Sequence, residues 1–418
     1  MLIVRATKKL RQRLGELGQY SFGAYRVRVR RIDDDGRRAR LAVRHHLAGP
    51  ARGDSVVEVA ADLVALHATD PATVHLAALA RMRDGTAATV ERALYDDRLL
   101  VRALGMRRTM FVVPVDLLPV VQAACTDEIA ARERRRTVQF LQEAGVAADV
   151  PAWLAEVEAA TLRALAARGE ATGAELAGDE PRLRTVVQYA VGKTYETRQN
   201  ITTRVLALLA AEGRIIRGRP RGSWISSQYR WSLASAWFPG GIPALPADEA
   251  RVELVRRYLA RFGPVTPADL RWWTGWTAGQ VAKALARIAT IEVDLVDGTG
   301  LVLADDLDQR PVVPPWAALL PALDPTPMGW TGRRWFLGAH ASALFDRSGN
   351  IGPTIWWNGR IVGGWAQRPD ATVAYRLLED VGAEGQAAVR SEVVRTEAVL
   401  GGVRITPRFR TPLERELT

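Results

Sequence analysis

His67, Thr69 and Asp70 are residues whose types and spacing suit chemistry. In extended backbone, side chains two apart face the same way, so His67 and Thr69 would share a side. An imidazole can hold or deprotonate a water, and a hydroxyl can orient it. Asp70 can accept from the imidazole or stabilise positive charge on a departing sugar. Such a set suits hydrolysis of an N-glycosidic bond, where the sugar becomes cationic in the transition state. An ordinary reading competes: Asp70-Pro71 is a helix-start signal, and His67 can pack in a core. If His67 keeps its usual pKa of about 6.5, activity declines on the acid side.

The elements that would position these residues recur. Three segments repeat one plan of helix, short helix, longer helix and two short strands, the outline of a winged helix. They run from Asp54 to Val113, from about Pro151 to Ser232 and from about Ala247 to Ala304. Asp54 or Ser55 caps VVEVAADLVAL, which stops before Pro71, where a second helix starts. TAATVERALYD makes the third helix, and RLLVRALGMRRTMFVV gives strands around Gly105. In the second segment PAWLAEVEAATLRALAARG, ATGAELAG and YETRQNITTRVLALLAAEG are the helices, with GRIIRGRPRGSWISSQYRW as the hairpin. In the third, Thr266 caps a helix with Pro267 in its first turn, and the hairpin is acidic, which suits a structural unit.

The expected fold is mainly α with β (α+β): three tandem winged-helix units, then a small β-rich, barrel-like C-terminal domain. Residues 1–44 read as a basic, poorly ordered extension, with 13 Lys/Arg against four acids. Winged helix 1 is placed at 45–113, linking helices at 114–150, winged helix 2 at 151–235, winged helix 3 at 245–305 and the β-rich domain at 309–418. In that last domain Asn358-Gly359 is a hairpin turn.

Composition narrows the partners. The 418 residues carry 57 Lys/Arg against 46 Asp/Glu, a net charge of +11, which points to an anionic partner. Double-stranded DNA is the expected one; an Arg-rich, high-GC genome explains part of the charge. Cys125 is the only cysteine, so no internal disulfide and no cysteine-rich zinc site is expected. No His pair has HExxH spacing, so neither metal nor cofactor is expected. No apolar run nears the roughly 20 residues that span a bilayer, and the basic N-terminus lacks a signal-type core. The expected location is cytoplasmic and nucleoid-associated, with no membrane contact and no obligate protein partner evident.

Candidate DNA contacts follow the charge. Between Arg182 and Arg230 there are ten Lys/Arg and two acids. Lys193, Arg198 and Arg204 lie on or beside the second unit's third helix, where Gln199 and Asn200 could read base edges. Arg217, Arg219 and Arg221 alternate along the hairpin tip, within reach of phosphates or a minor groove. Trp272, Trp273 and Trp276 read as packing between units.

Five stretches in order resemble the AlkZ/YcaQ-type winged-helix DNA glycosylases. They are LHATDPATVHLAALARM, MRRTMFVVP, GPVTPADLRWWTG, LLPALDPTPMGW and NIGPTIWWNGRIVGGW. The resemblance covers roughly Arg44 to the C-terminus. It implies removal of alkylated or cross-linked purines by monofunctional hydrolysis, without metal or redox cofactor. The family's motif, Gln-x-Gln or Gln-x-Asp before an Asp-Pro-like turn, falls here on His67 and Thr69, and neither residue is the familiar one. The wing stretch falls on Arg107, Arg108 and Thr109, a region that lies against DNA in the family. The expected function is a DNA-repair glycosylase; the alternative is a non-catalytic winged-helix DNA-binding protein, architectural or regulatory.

Overall fold

The computed structural model describes residues 30–189, 197–306, 311–407 and 410–418. Its first element is a correction. α1 (Asp34–Arg44) is a helix capped by Asp33, not part of a poorly ordered extension. Its inner face puts Leu41 and Ala42 into the largest apolar cluster. Arg40 and Arg44 pair with Asp306, and Arg37 lies 4.1 Å from the Trp335 ring centroid. The arginines that suggested a basic, poorly ordered extension fasten this helix to the body.

Next come α2 (Val56–Asp62), β1 (Leu66–His67), α3 (Pro71–Leu79), α4 (Ala87–Glu91, widening into a π turn over Arg92–Asp96), β2 (Leu100–Leu104) and β3 (Met110–Pro114). Their strands order β1-β3-β2. α2 is shorter than its apolar periodicity predicts. Val64 adopts a φ of 62°, which ends the helix and frees Leu66–His67 to pair with β3. Asp70 then caps α3 and Pro71 occupies its first turn, as expected.

A linking segment from Val115 leads into α5 (Asp127–Glu143). The second repeat holds α6 (Val150–Arg168), β4 (Glu170–Ala171), α7 (Gly173–Asp179), β5 (Val186–Tyr189), β6 (Thr197–Asn200), α8 (Thr202–Ala211), β7 (Ile215–Pro220) and β8 (Tyr229–Leu233), with order β4-β8-β7. The long third helix expected over 195–213 is about half that length. Thr197–Asn200 pairs with Val186–Tyr189 as an antiparallel hairpin, so Arg198, Gln199 and Asn200 stand on a strand. Polar side chains with no apolar helical face before Ile201 account for it. Lys193 lies outside the described residues.

The third repeat is α9 (Ala247–Phe262), a bridge at Val265, α10 (Pro267–Thr274), α11 (Ala278–Leu285), β9 (Thr290–Leu295) and β10 (Gly298–Leu303). β11 (Ala317–Leu320), β12 (Thr354–Trp357), β13 (Arg360–Gln367) and β14 (Val373–Leu377) follow as one open antiparallel sheet in that order. The β12–β13 turn uses positive φ at Asn358 and Gly359. The expected barrel is not there: among the described residues this sheet does not close. α12 (Gly382–Leu400), which the strand pattern did not announce, covers one face, and α13 (Pro412–Leu417) contacts β13.

Two polar locks tie the first repeat to the C-terminal region. Arg81 and Asp324, both 0% exposed, pair through two hydrogen bonds of 2.8 and 2.6 Å, and Arg81 also donates to Thr326, His45 O and Ala77 O. Arg395 of α12 donates to Leu79 O and Met82 O. Among the described residues no helix is long and apolar enough to cross a membrane.

Candidate functional site

His67 ends β1 opposite Phe111, with ring centroids 5.5 Å apart. It is 6% exposed, and its Nδ1 is buried without a partner among the described residues. Burial, then the Arg107 charge, pulls its pKa down to about 3. His67 is therefore neutral throughout the physiological range, and the acid-side decline expected near 6.5 does not follow from it. A side chain so weakly basic can orient a water but is a poor acceptor of its proton.

Thr69 is exposed and forms one lip of a cleft of about 560 Å³ between the first and second repeats. Asp70 is half-buried. Its Oδ1 accepts from Ala72 N at 2.9 Å, which leaves Oδ2 without a cap role. Burial raises its pKa, opposed by the Ala72 amide and the Arg102 charge. The three residues do not converge as the spacing suggests. Among the described residues no hydrogen bond joins them: His67 faces Phe111, Thr69 faces the cleft, and Asp70 faces a small cavity shared with Trp365 and Gln367.

The basic residues divide in a way the sequence did not show. Arg107 and Arg108 sit in a tight turn with φ of 53° and 58°. Arg107 lies 4.0 Å from the Trp272 ring centroid, with Arg333 at 4.6 Å from the same ring. Arg108 pairs with Glu133 at 2.9 Å, and Thr109 is half-buried beside it. The second hairpin is docked on its neighbour. Arg217 touches Met110 and stacks on Trp231, and Arg219 pairs with Glu91 and Asp96. Trp224 at the tip is 7% exposed beside His75. Of the three tip arginines only Arg221 is exposed, on the same cleft as Thr69. Arg204 lies over Phe140 and shares a second cleft of about 390 Å³ with Arg108, Gln199 and Asn200; exposed Arg198 lies outside that group. Met110, Thr203 and Arg217 line both clefts, which makes them neighbours.

Sequence reasoning passed over Arg102, Tyr95 and Tyr229. Arg102 is 4% exposed on β2, donates to Ala68 O at 2.8 Å and lies 4.8 Å from the Tyr229 ring centroid. The signal was present, since Arg102 takes an inward position between Leu100 and Leu104 in strand alternation. His46, Glu58 and Asp62 bring one ligand-type atom each within 4.8 Å of the others, but His46 and Arg261 already pair with Asp62.

A family model described as DNA glycosylase AlkZ-like matches residues 60–399. The chain belongs to the AlkZ-like DNA glycosylase family. Among solved structures, Streptomyces sahachiroi DNA glycosylase AlkZ is similar in fold, with a TM-score of 0.69 and 20% identity, covering 90% of this chain and 99% of that one. No curated protein matches the chain significantly in sequence. The family places a DNA-repair glycosylase on this chain; its lesion and its catalytic residues are a separate matter.

Proposed function

We propose that this protein is a monofunctional DNA glycosylase that hydrolyses the N-glycosidic bond of alkylated or bulky-adduct purines. The observation that carries the reading is Thr69 on the lip of a cation-lined cleft, flanked by neutral His67 and by Asp70 with one free carboxylate oxygen. The helix–strand–helix–helix–hairpin order repeats, and two sheets share the order first-third-second. We read 45–113, 151–235 and 245–305 as three tandem winged helices on double-stranded DNA. In this reading Arg108, Thr109, Arg198, Gln199, Asn200, Arg204, Arg217 and Arg221 face the duplex, while Arg107 and Arg219 hold the units that present them.

An N7-alkylated guanine already carries positive charge, so it leaves with the glycosidic electron pair as a neutral base. Water forms the new bond to C1′ of the sugar. Thr69 orients that water from the lip of the cleft, and His67 packs behind it against Phe111. Asp70 opposes the sugar's positive charge and takes the water proton, because its pKa is raised and that of His67 is lowered. The test is release of N7-methylguanine from duplex DNA by wild type and by Asp70→Asn. Release at the spontaneous rate by wild type across several alkylpurines removes the catalytic reading. A second reading, a non-catalytic DNA-binding protein, is favoured by one observation: His67 is turned onto Phe111 rather than into the cleft.

A further inference from the structure

The cleft beside Thr69 holds cations that the hydrolysis does not use. Arg102 is buried, bonds Ala68 O and Tyr95, and keeps an Nε with no partner among the described residues. Arg217 lies close enough to Arg102 for the two charges to repel. Among the described residues the direct partners of this pair are rings, a thioether, a hydroxyl and a carbonyl, never a carboxylate. Asp70 is the acid whose field reaches Arg102. Among the described residues the Tyr229 hydroxyl is buried and also has no partner. Thr202 and Thr203, the first turn of the ten-residue helix α8, line the same cleft.

Two neighbouring cations away from water are costly unless an anion joins them. Two guanidinium forks, a phenolic hydroxyl and the positive end of a helix meet at this cleft, beside the hydroxyls of Thr69, Thr172 and Ser227 and the amide of Gln228, which donate as well as accept. Two guanidinium groups with no carboxylate among their direct partners fit a phosphodiester oxygen pair better than a neutral base edge. We propose that Arg102, Arg217, the Tyr229 hydroxyl and the first turn of α8 form a pocket for one DNA backbone phosphate. That phosphate flanks the nucleotide whose glycosidic bond meets Thr69. The inference rests on the DNA-glycosylase reading and adds where the strand is gripped.

Tyr229→Phe is the decisive variant, because its hydroxyl has no protein partner to lose. Its melting temperature should equal or exceed that of wild type, while affinity for duplex DNA falls about three- to tenfold. Arg102→Met should weaken binding further and flatten the plot of log K against log salt by about 0.9, the loss of one phosphate contact. Duplexes with a neutral methylphosphonate walked along the strand locate the contact. At one position wild type and Tyr229→Phe should bind equally, and elsewhere the gap should persist. The pocket is overturned if Tyr229→Phe binds as wild type at every salt concentration, or if the gap is the same at every position. Inorganic phosphate alone, titrated by calorimetry, separates the sources. Saturation below about a millimolar, lost in Tyr229→Phe, assigns the pocket to the free ion and overturns the DNA assignment. Binding is read without base release, so failure of catalysis leaves this result standing.

Discussion

At the scale of single residues, the two groups that looked like one dyad have opposite chemistry. Burial makes His67 less basic and Asp70 less acidic. Asp70→Asn should therefore reduce base release by about 10² to 10⁴, the usual range for losing a general base. His67→Gln should stay within about tenfold of wild type, because the ring packs on Phe111 and does not face the cleft, and His67→Ala should fall further through the lost packing. The pH profile of release checks the assignment. Its acid limb should lie above the ordinary carboxylate range, and it should vanish in the Asp70→Asn residual rate. A limb at 6.5 that moves in His67→Gln would return the proton to the imidazole. Thr69 was legible as an exposed hydroxyl beside a helix cap. What spacing could not show is that β1 ends at His67, so the two-residue alternation breaks before Thr69.

At the scale of elements, periodicity located the helices that have an apolar face and failed where a strand is polar. α6, α9, α10 and the β12–β13 hairpin were readable from caps, Pro and Asn-Gly. β6 was not, because Thr197–Asn200 has no inward hydrophobe to mark its period. α1 was not, because its arginines are inward-facing and find carboxylates or rings only in the fold. The second hairpin was read as an outward wing from its charge, but Glu91, Asp96 and Tyr95 on the neighbouring unit accept Arg219. Gly275 shows how tightly the third unit meets the first. It has φ +76°, and a Cβ there would sit 3.2 Å from Arg107. Gly275→Ala should lower stability by about 1–3 kcal/mol, from left-handed strain plus crowding. A thermal melt unchanged within a degree would show that the turn gives way freely.

At the scale of the whole molecule, three buried histidines set the acid behaviour. Desolvation lowers His67 and His75 to about 3 and His45 well below its usual value. Below about 6.5 the unfolded chain binds protons that the folded chain refuses, so stability is complete above that pH and falls as pH drops toward 3. Each histidine contributes up to about 1.4 kcal/mol per pH unit in that window. Urea midpoints between pH 7 and 5 should fall steeply, and less so in His75→Gln. A flat dependence would mean that these rings are hydrated in solution.

The lock between Arg81 and Asp324 spans 243 positions of chain. Removing the acid alone, as in Asp324→Ala, should destabilise by about 3–5 kcal/mol, because a bare guanidinium is left in the interior. The same bond sets how the molecule can be dissected. A fragment cut before residue 311 would expose the socket that receives Asp324 and strand Arg81 in it, so such a piece should be sticky and short-lived rather than a small working protein. Anyone grafting the first repeat onto another scaffold must carry an acid to Arg81 or replace both partners together.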